Sequence, residues 1–346
     1  MRPPDPQAEI RKPSALLPLA LAAFLAATSG CIVLNPGHAP GPTLTFREPE
    51  TNRTYRLYVP STYSPERSWP LMVACHGAPP FDSAAFQIDE WKGLAEAKGF
   101  LVLAPDLIST AGDLSKDPAP QIARQRQDEE AILAAITHVR ASRNVDTDHV
   151  FIAAWTGGAY PALFTGLRNP HIFRVIALRQ PAFDPRFVEV CIPYIDQQQP
   201  VYIIYGPGDL AHDRTLACGE WLRRNRVYVE QQEVTNAHVR NPEPLYIFVR
   251  NVVRSRPWIR VVVTEPDVAR PLTVKFTLWS TVPVVRYLWE FGDGQTANVA
   301  EPVHTYEKPG VYTVRVAIES GGKRYLRQLE FRVPRTRLGT TRPAMP

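Results

Sequence analysis

Between Thr43 and Arg254 short apolar runs alternate with helical patterns, and after Pro257 the helical patterns stop. That change of rhythm limits the fold more than any other feature of the chain. Tyr55 to Val59, Leu71 to Cys75, Phe100 to Leu103, Val150 to Trp155, Val175 to Leu178, Val201 to Tyr205 and Val227 to Val234 read as strands. Ala84 to Lys98 reads as a helix with Trp91, Leu94 and Ala95 facing inward and Gly99 as its stop signal. Ile132, Ile136 and Val139 mark the inner face of a second, longer helix. Such alternation predicts a mostly parallel sheet with helices on both faces and any site at the strand ends. Arg260 to Thr264, Leu272 to Leu278, Val285 to Trp289, Val311 to Ile318 and Leu326 to Val333 are strands without helices between them. Turn signals at Gly292-Asp293-Gly294, Pro309-Gly310 and Gly321-Gly322 separate them, which predicts a second, all-β sandwich domain.

Composition agrees with two folded domains. The 346 residues are 45% hydrophobic and 21% charged, which excludes global disorder. Proline, at 35 residues, is about twice as frequent as the usual ~5%, favouring loops punctuated by proline over long helices. Lys plus Arg exceeds Asp plus Glu by 39 to 34, but the basic residues are scattered, so no nucleic-acid footprint is indicated. Four cysteines are too few for a disulfide scaffold and have no zinc-site spacing; neither a metal nor an organic cofactor is implied. Cys75 reads as a buried thiol, while Cys191 and Cys218 could pair across neighbouring loops or stay free.

Residues 1–30 read as a secretory signal: Arg2, Arg11 and Lys12, an apolar run from Ala15 to Ala27, then small residues. As a helix that run rises only ~20 Å, short of a hydrocarbon core of ~30 Å. Thr28-Ser29-Gly30 before Cys31 resembles the bacterial lipobox, although Thr28 stands where leucine is usual. The resemblance implies lipidation of Cys31 and an exported, cell-envelope protein; with Ile32 following, the outer membrane is the expected site. Plain export with cleavage nearby is the alternative. Residues 31–43 read as a tether rich in proline and glycine, and residues 335–346 as a frayed basic tail.

Trp289-Glu290-Phe291-Gly292-Asp293-Gly294, His304-Thr305-Tyr306 and Pro309-Gly310-Val311-Tyr312-Thr313-Val314 together closely resemble the PKD (polycystic kidney disease) domain. The resemblance implies an immunoglobulin-like sandwich over residues 257–334, used for spacing, adhesion or polymer contact. Trp289, Phe291 and Tyr312 are expected in its core, Asp293 in a turn, and His304 in a loop hydrogen bond.

Residues 44–256 resemble the α/β-hydrolase family, most closely secreted polyhydroxybutyrate depolymerases and feruloyl-esterase-like enzymes. The matching stretches are Leu71-Met72-Val73-Ala74-Cys75-His76-Gly77, Val102-Leu103-Ala104-Pro105-Asp106, Asn144-Val145-Asp146 with Val150-Phe151-Ile152-Ala153, and Tyr205-Gly206-Pro207-Gly208-Asp209. The expected architecture is therefore an α/β-hydrolase fold followed by an immunoglobulin-like sandwich. In that family a nucleophilic serine sits in a Gly-x-Ser-x-Gly turn between strand and helix, followed in the chain by an acid and a histidine. Here the aligned turn is Ala154-Trp155-Thr156-Gly157-Gly158, and the chain contains no Gly-x-Ser-x-Gly. The resemblance thus assigns Thr156 to the nucleophile position, Asp209 to the acid and His238 to the base. It assigns the oxyanion hole to the backbone N–H groups of Gly157 and of Gly77 or Ala78, ahead of Pro79-Pro80.

Two functions follow. One is an envelope esterase acting on polyester or hydroxycinnamate esters through Thr156, Asp209 and His238. The other is a degenerate hydrolase fold that binds an envelope polymer or partner. A β-branched residue at a strained elbow, and two prolines where N–H donors are usual, weigh toward the second.

Overall fold

The computed structural model describes residues 40–334 except 113–115, 236–239 and 265–268; Cys31, His238, the signal segment and the C-terminal tail lie outside the described residues. Eight strands form one sheet: β1 (Thr43–Arg47), β2 (Thr54–Tyr58), β3 (Trp69–Cys75), β4 (Leu101–Pro105), β5 (Val145–Trp155), β6 (Val175–Arg179), β7 (Val201–Tyr205) and β8 (Val229–Glu233). Their order across the sheet is β1-β2-β4-β3-β5-β6-β7-β8. The first two strands are antiparallel, and the remaining six run parallel. This is the α/β-hydrolase arrangement. Because β3 lies between β4 and β5, the chain reverses its winding direction there, and the carboxyl ends of β3 and β5 open the crevice where such sheets carry their sites.

Alternation along each buried strand divides the core in two. Leu71, Val73 and Cys75 of β3 face one apolar layer with Ile132, Ile136 and Val139 of α2 (Ala119–Ser142), Leu163 and Phe164 of α3 (Ala159–Arg168), and Trp221 and Leu222 of α4 (His212–Arg224). Met72 and Ala74 face the other, against Ile88, Trp91 and Ala95 of α1 (Ala84–Lys98) and Leu245, Phe248 and Val252 of α5 (Glu243–Ser255). Helix α1 starts at Ser83, whose hydroxyl accepts from Phe86 N–H, and stops at Gly99 in a left-handed cap with φ 76°. Cys75, Cys191 and Cys218 are free buried thiols, so the pairing left open for Cys191 and Cys218 is not formed. Burial pushes the Cys191 thiol up to about 12.

From Ile259 the chain forms two facing sheets, ordered β13-β10-β9 and β12-β11-β14-β15. The strands are β9 (Ile259–Thr264), β10 (Thr273–Ser280), β11 (Arg286–Glu290), β12 (Thr296–Ala297), β13 (Val303–Thr305), β14 (Gly310–Ser320) and β15 (Lys323–Val333). The sequence pattern lacks β12 and β13, which are too short to express a period of two. Trp289, Phe291, Phe276 and Tyr306 fill the core between the sheets, whereas Tyr312 packs only partly against it. The sandwich is pinned to the α/β domain by Arg260, which is only 8% exposed. Its guanidinium donates to Thr147 O, His171 O and Asp148 Oδ1 at 3.1, 2.9 and 2.7 Å.

Candidate active site

Strand β5 ends at Trp155, a single 3-10 turn carries Thr156–Gly158, and α3 begins at Ala159. Thr156 has φ 45°, the left-handed region that a β-branched side chain ordinarily avoids. The strained strand-to-helix elbow is thus formed despite the missing serine and the missing first glycine. Its neighbours enforce it. A Cβ on Gly158 would stand 2.4 Å from Cys75 O, and one on Gly157 would stand 1.9 Å from Thr110 O. The helix start is therefore pressed against the ends of two segments, and the turn before it has no room to relax. Thr156 O accepts from Ala182 N–H at 3.0 Å, fixing the elbow from the other side.

The Thr156 hydroxyl lies against Gly77: a Cβ there would stand 2.6 Å from Thr156 Oγ1. The loop after β3 thus reaches the elbow, and its N–H groups are engaged unevenly. Gly77 N–H donates to Asp82 Oδ2 at 2.7 Å, so Gly77 is not a free oxyanion donor. The cause lies in the turn after it. Phe81 N–H and Asp82 N–H both donate to Ala78 O, at 3.1 and 3.2 Å, curling the chain back past Pro79 and Pro80 until the Asp82 carboxylate meets Gly77. Ala78 N remains on the elbow side, 3.5 Å from where a Cβ on Gly157 would stand. Of the N–H groups that the resemblance assigns to an oxyanion hole, those of Gly157 and Ala78 therefore lie together at the elbow, with the Thr110 carbonyl packed alongside.

His76 has both ring nitrogens engaged by main-chain groups. Its Nε2 accepts from Leu107 N–H at 2.9 Å, which leaves the proton on Nδ1, 2.7 Å from Gly77 O. Buried Asp128 holds the adjoining loop by accepting from Ile108 N–H, Ser109 N–H and Ser109 Oγ–H.

Asp209 follows β7. Its Oδ1 accepts from Ala211 N–H at 3.0 Å in a short local turn. Its Oδ2 is buried and has no hydrogen-bond partner among the described residues. A buried carboxylate oxygen without a donor is costly, so this atom stands ready for one. His238, the expected donor, lies outside the described residues.

Beside the elbow lies an ion cluster that sequence reading missed. Arg179, at the end of β6, pairs with Glu90 of α1 at 2.5 Å. Arg240 pairs with Asp82 at 3.0 Å and reaches Glu90 at 3.6 Å. The Arg240 guanidinium also lies 4.0 Å from the centroid of the Trp155 ring, while Trp155 Nε1–H donates to Gln180 Oε1. Trp155 is half-buried, forming a wall between the cations and the elbow. Burial pushes the Glu90 carboxyl up, against the opposing pull of Arg179 and Arg240. Asp82 and Arg240 are 158 positions apart, and no local pattern connects them. Among the described residues no group of three or more His, Cys, Asp or Glu is placed to hold a metal ion.

Comparison with known proteins divides along the same boundary as the fold. Residues 256–332 match the PKD domain family. Within the PKD domain, Asp293 Oδ1 accepts from Gln295 N–H, and Asp293 Oδ2 meets His304 Nε2 at 2.7 Å; the His304 ring stacks on Phe291 at 4.1 Å. These contacts make Asp293 and His304 parts of a loop clasp. Collagenase ColA of Bacillus cereus is 43% identical over 51 residues, 14% of this chain and 5% of the collagenase. Collagenase ColQ1 of the same species is 47% identical over 36 residues, 10% of this chain and 4% of the collagenase. The matched stretches thus span only a small part of these relatives. Among solved structures, a CE1 ferulic acid esterase from Anaeromyces mucronatus aligns at TM-score 0.49 and 15% identity, covering 61% of this chain and 88% of that one. The S-formylglutathione hydrolase FrmB of Staphylococcus aureus aligns at TM-score 0.48 and 13% identity, covering 62% and 94%. Dipeptidyl peptidase 4 of Porphyromonas gingivalis aligns at TM-score 0.46 and 16% identity, covering 62% of this chain and 36% of that one. The α/β-hydrolase fold itself is carried by the strand order.

Proposed function

We propose that the chain is a cell-envelope carboxylic-ester hydrolase in which Thr156 replaces the nucleophilic serine and the PKD domain is an accessory module. The observation that carries this reading is the left-handed backbone of Thr156, φ 45°, at the carboxyl end of β5. Such strain costs ~1–3 kcal/mol and concentrates at functional sites. In the proposed reaction Thr156 Oγ1 attacks the ester carbonyl carbon and passes its proton to His238. The alcohol leaves with that proton. A water then attacks the acyl-threonine, gives a proton to His238, and the acid is released as Thr156 regains it. Asp209 Oδ2, buried and unpartnered, is the acceptor that would orient the imidazole. Gly157 and Ala78 would donate to the oxyanion. The family resemblance suggests a polyester or a hydroxycinnamate ester as substrate.

A specific observation favours a second reading, a degenerate fold that binds an envelope polymer or partner. The Asp82 carboxylate already takes the Gly77 N–H, one of the donors that the resemblance assigns to the oxyanion hole. Loss of one such donor costs ~3 kcal/mol, about a hundredfold in rate. Hydrolysis of p-nitrophenyl butyrate by the purified mature protein separates the readings. The first expects turnover that disappears in Thr156→Ala and His238→Ala. The second expects none in the parent, with either a gain in Thr156→Ser, marking a decayed site, or silence in both. Envelope anchoring through Cys31 is part of the proposal: Cys31→Ser releases the protein from membranes on fractionation, and unchanged fractionation contradicts it.

A further inference from the structure

A cavity of about 330 Å³ lies between the α/β domain and the PKD domain, away from the elbow. Its lining holds four cations, Arg174, Arg256, Lys323 and Arg327, and a single carboxylate, Asp196. The imbalance is built in, because the arginines are fixed. Arg174 donates to Arg256 O at 2.8 Å and to Val253 O at 3.3 Å. Arg327 donates from Nε to Ile259 O at 2.9 Å and from Nη1 to Leu326 O at 2.7 Å. The Arg256 guanidinium is laid over the Tyr228 ring, 3.7 Å from its centroid. Of the lining arginines, Arg256 keeps one unmet donor: its Nη1 is buried and has no hydrogen-bond acceptor among the described residues. A buried guanidinium N–H without an acceptor, in a cavity whose cations outnumber its carboxylates four to one, is costly unless an anion completes it. The walls come from both domains and are held in register by Arg260, so the cavity is ready before any ligand arrives.

We propose that this cavity is an anion site at the domain joint, taking a sugar-sized ligand that carries a phosphate or a carboxylate. Its volume is at the lower end of small-molecule pockets, room for about one ring with its charged group. Arg256 supplies the planar donor pair that suits either oxyanion, and Lys323, at the rim, adds a mobile charge. The ligand would bridge the domains, since Lys323 and Arg327 belong to β15 whereas Arg174 precedes β6.

Isothermal titration calorimetry of the mature full-length protein tests this, with sodium phosphate and sodium glucuronate in separate titrations at constant ionic strength. The proposal expects saturable one-to-one binding of at least one anion. Tighter phosphate binding marks a phosphorylated ligand, and tighter glucuronate binding an acidic sugar. Arg256→Met weakens that binding about tenfold or more, and Lys323→Ala about threefold. The exposed Lys323 variant is expected to keep the parental melting temperature, so its loss of affinity is not a folding effect. Absence of saturable binding for both anions overturns the proposal. So does parental affinity in a folded Arg256→Met or in Lys323→Ala.

Discussion

In the PKD domain the described residues with left-handed backbone are Gly292, Gly294, Gly321 and Gly322, all glycine; in the α/β domain Gly99 and Gly112 share that conformation with four residues that carry side chains, Asn52, Thr156, Gln180 and Arg226. The difference lies in side chains held where glycine is the usual occupant. Glycine adopts positive φ at little steric cost, so the sandwich turns carry no strain. Thr156 and Gln180 instead stand just past the ends of the neighbouring parallel strands β5 and β6, on the crevice. They are joined there through Trp155, whose indole donates to Gln180. Strain of this kind clusters at functional sites, which is the ground on which the ester-hydrolase proposal assigns Thr156 its role.

Substitutions that test the confinement of the elbow should have the largest effects. Gly157→Ala or Gly158→Ala forces a methyl onto main-chain atoms and should lower stability in urea unfolding by about 3 kcal/mol. Gly294→Ala in the PKD domain meets nothing within 4 Å and should cost only about 1 kcal/mol, through its φ of 91°. Equal losses would erase the contrast. Next comes Asp82→Ala, which strips the carboxylate from Arg240, Gly77 N–H and Gln87; a loss of about 2 kcal/mol is expected in the same assay. Thr156→Gly should act in the opposite direction, raising stability by about 1 kcal/mol while abolishing ester turnover. A destabilised Thr156→Gly would show that the elbow is not strained.

The smallest effect concerns the PKD clasp. Burial raises the Asp293 carboxyl, but hydrogen bonds from Gln295 N–H and His304 outweigh it and leave it below its ordinary value of 3.8. A depressed carboxylate contributes stability that is present above that value and is lost as pH falls through the lower, folded one. Acid unfolding of the parent should therefore steepen below pH ~3.8, and Asp293→Asn should remove that pH-dependent component.

The strand and helix rhythm was legible because buried parallel strands are short apolar runs and helix α1 carries its own cap and stop. The elbow was legible because Thr156, Gly157 and Gly158 are contiguous. The distribution of donors was not. That Asp82 would turn back onto Gly77 depends on two bonds to Ala78 O, and that Arg240 would clamp Asp82 depends on an approach across half the chain. Nor was the anion cavity visible, since its charges come from four separated segments and acquire meaning only when the two domains meet.

The claim on which the functional account rests is that the Thr156 hydroxyl takes the acyl group. Brief reaction of the purified protein with p-nitrophenyl acetate, acid quench and peptide mass spectrometry measures it directly. The account predicts an acetyl adduct on the peptide containing Thr156 and none in Thr156→Ala. Ester turnover that persists in Thr156→Ala, or an adduct on a different side chain, would contradict it.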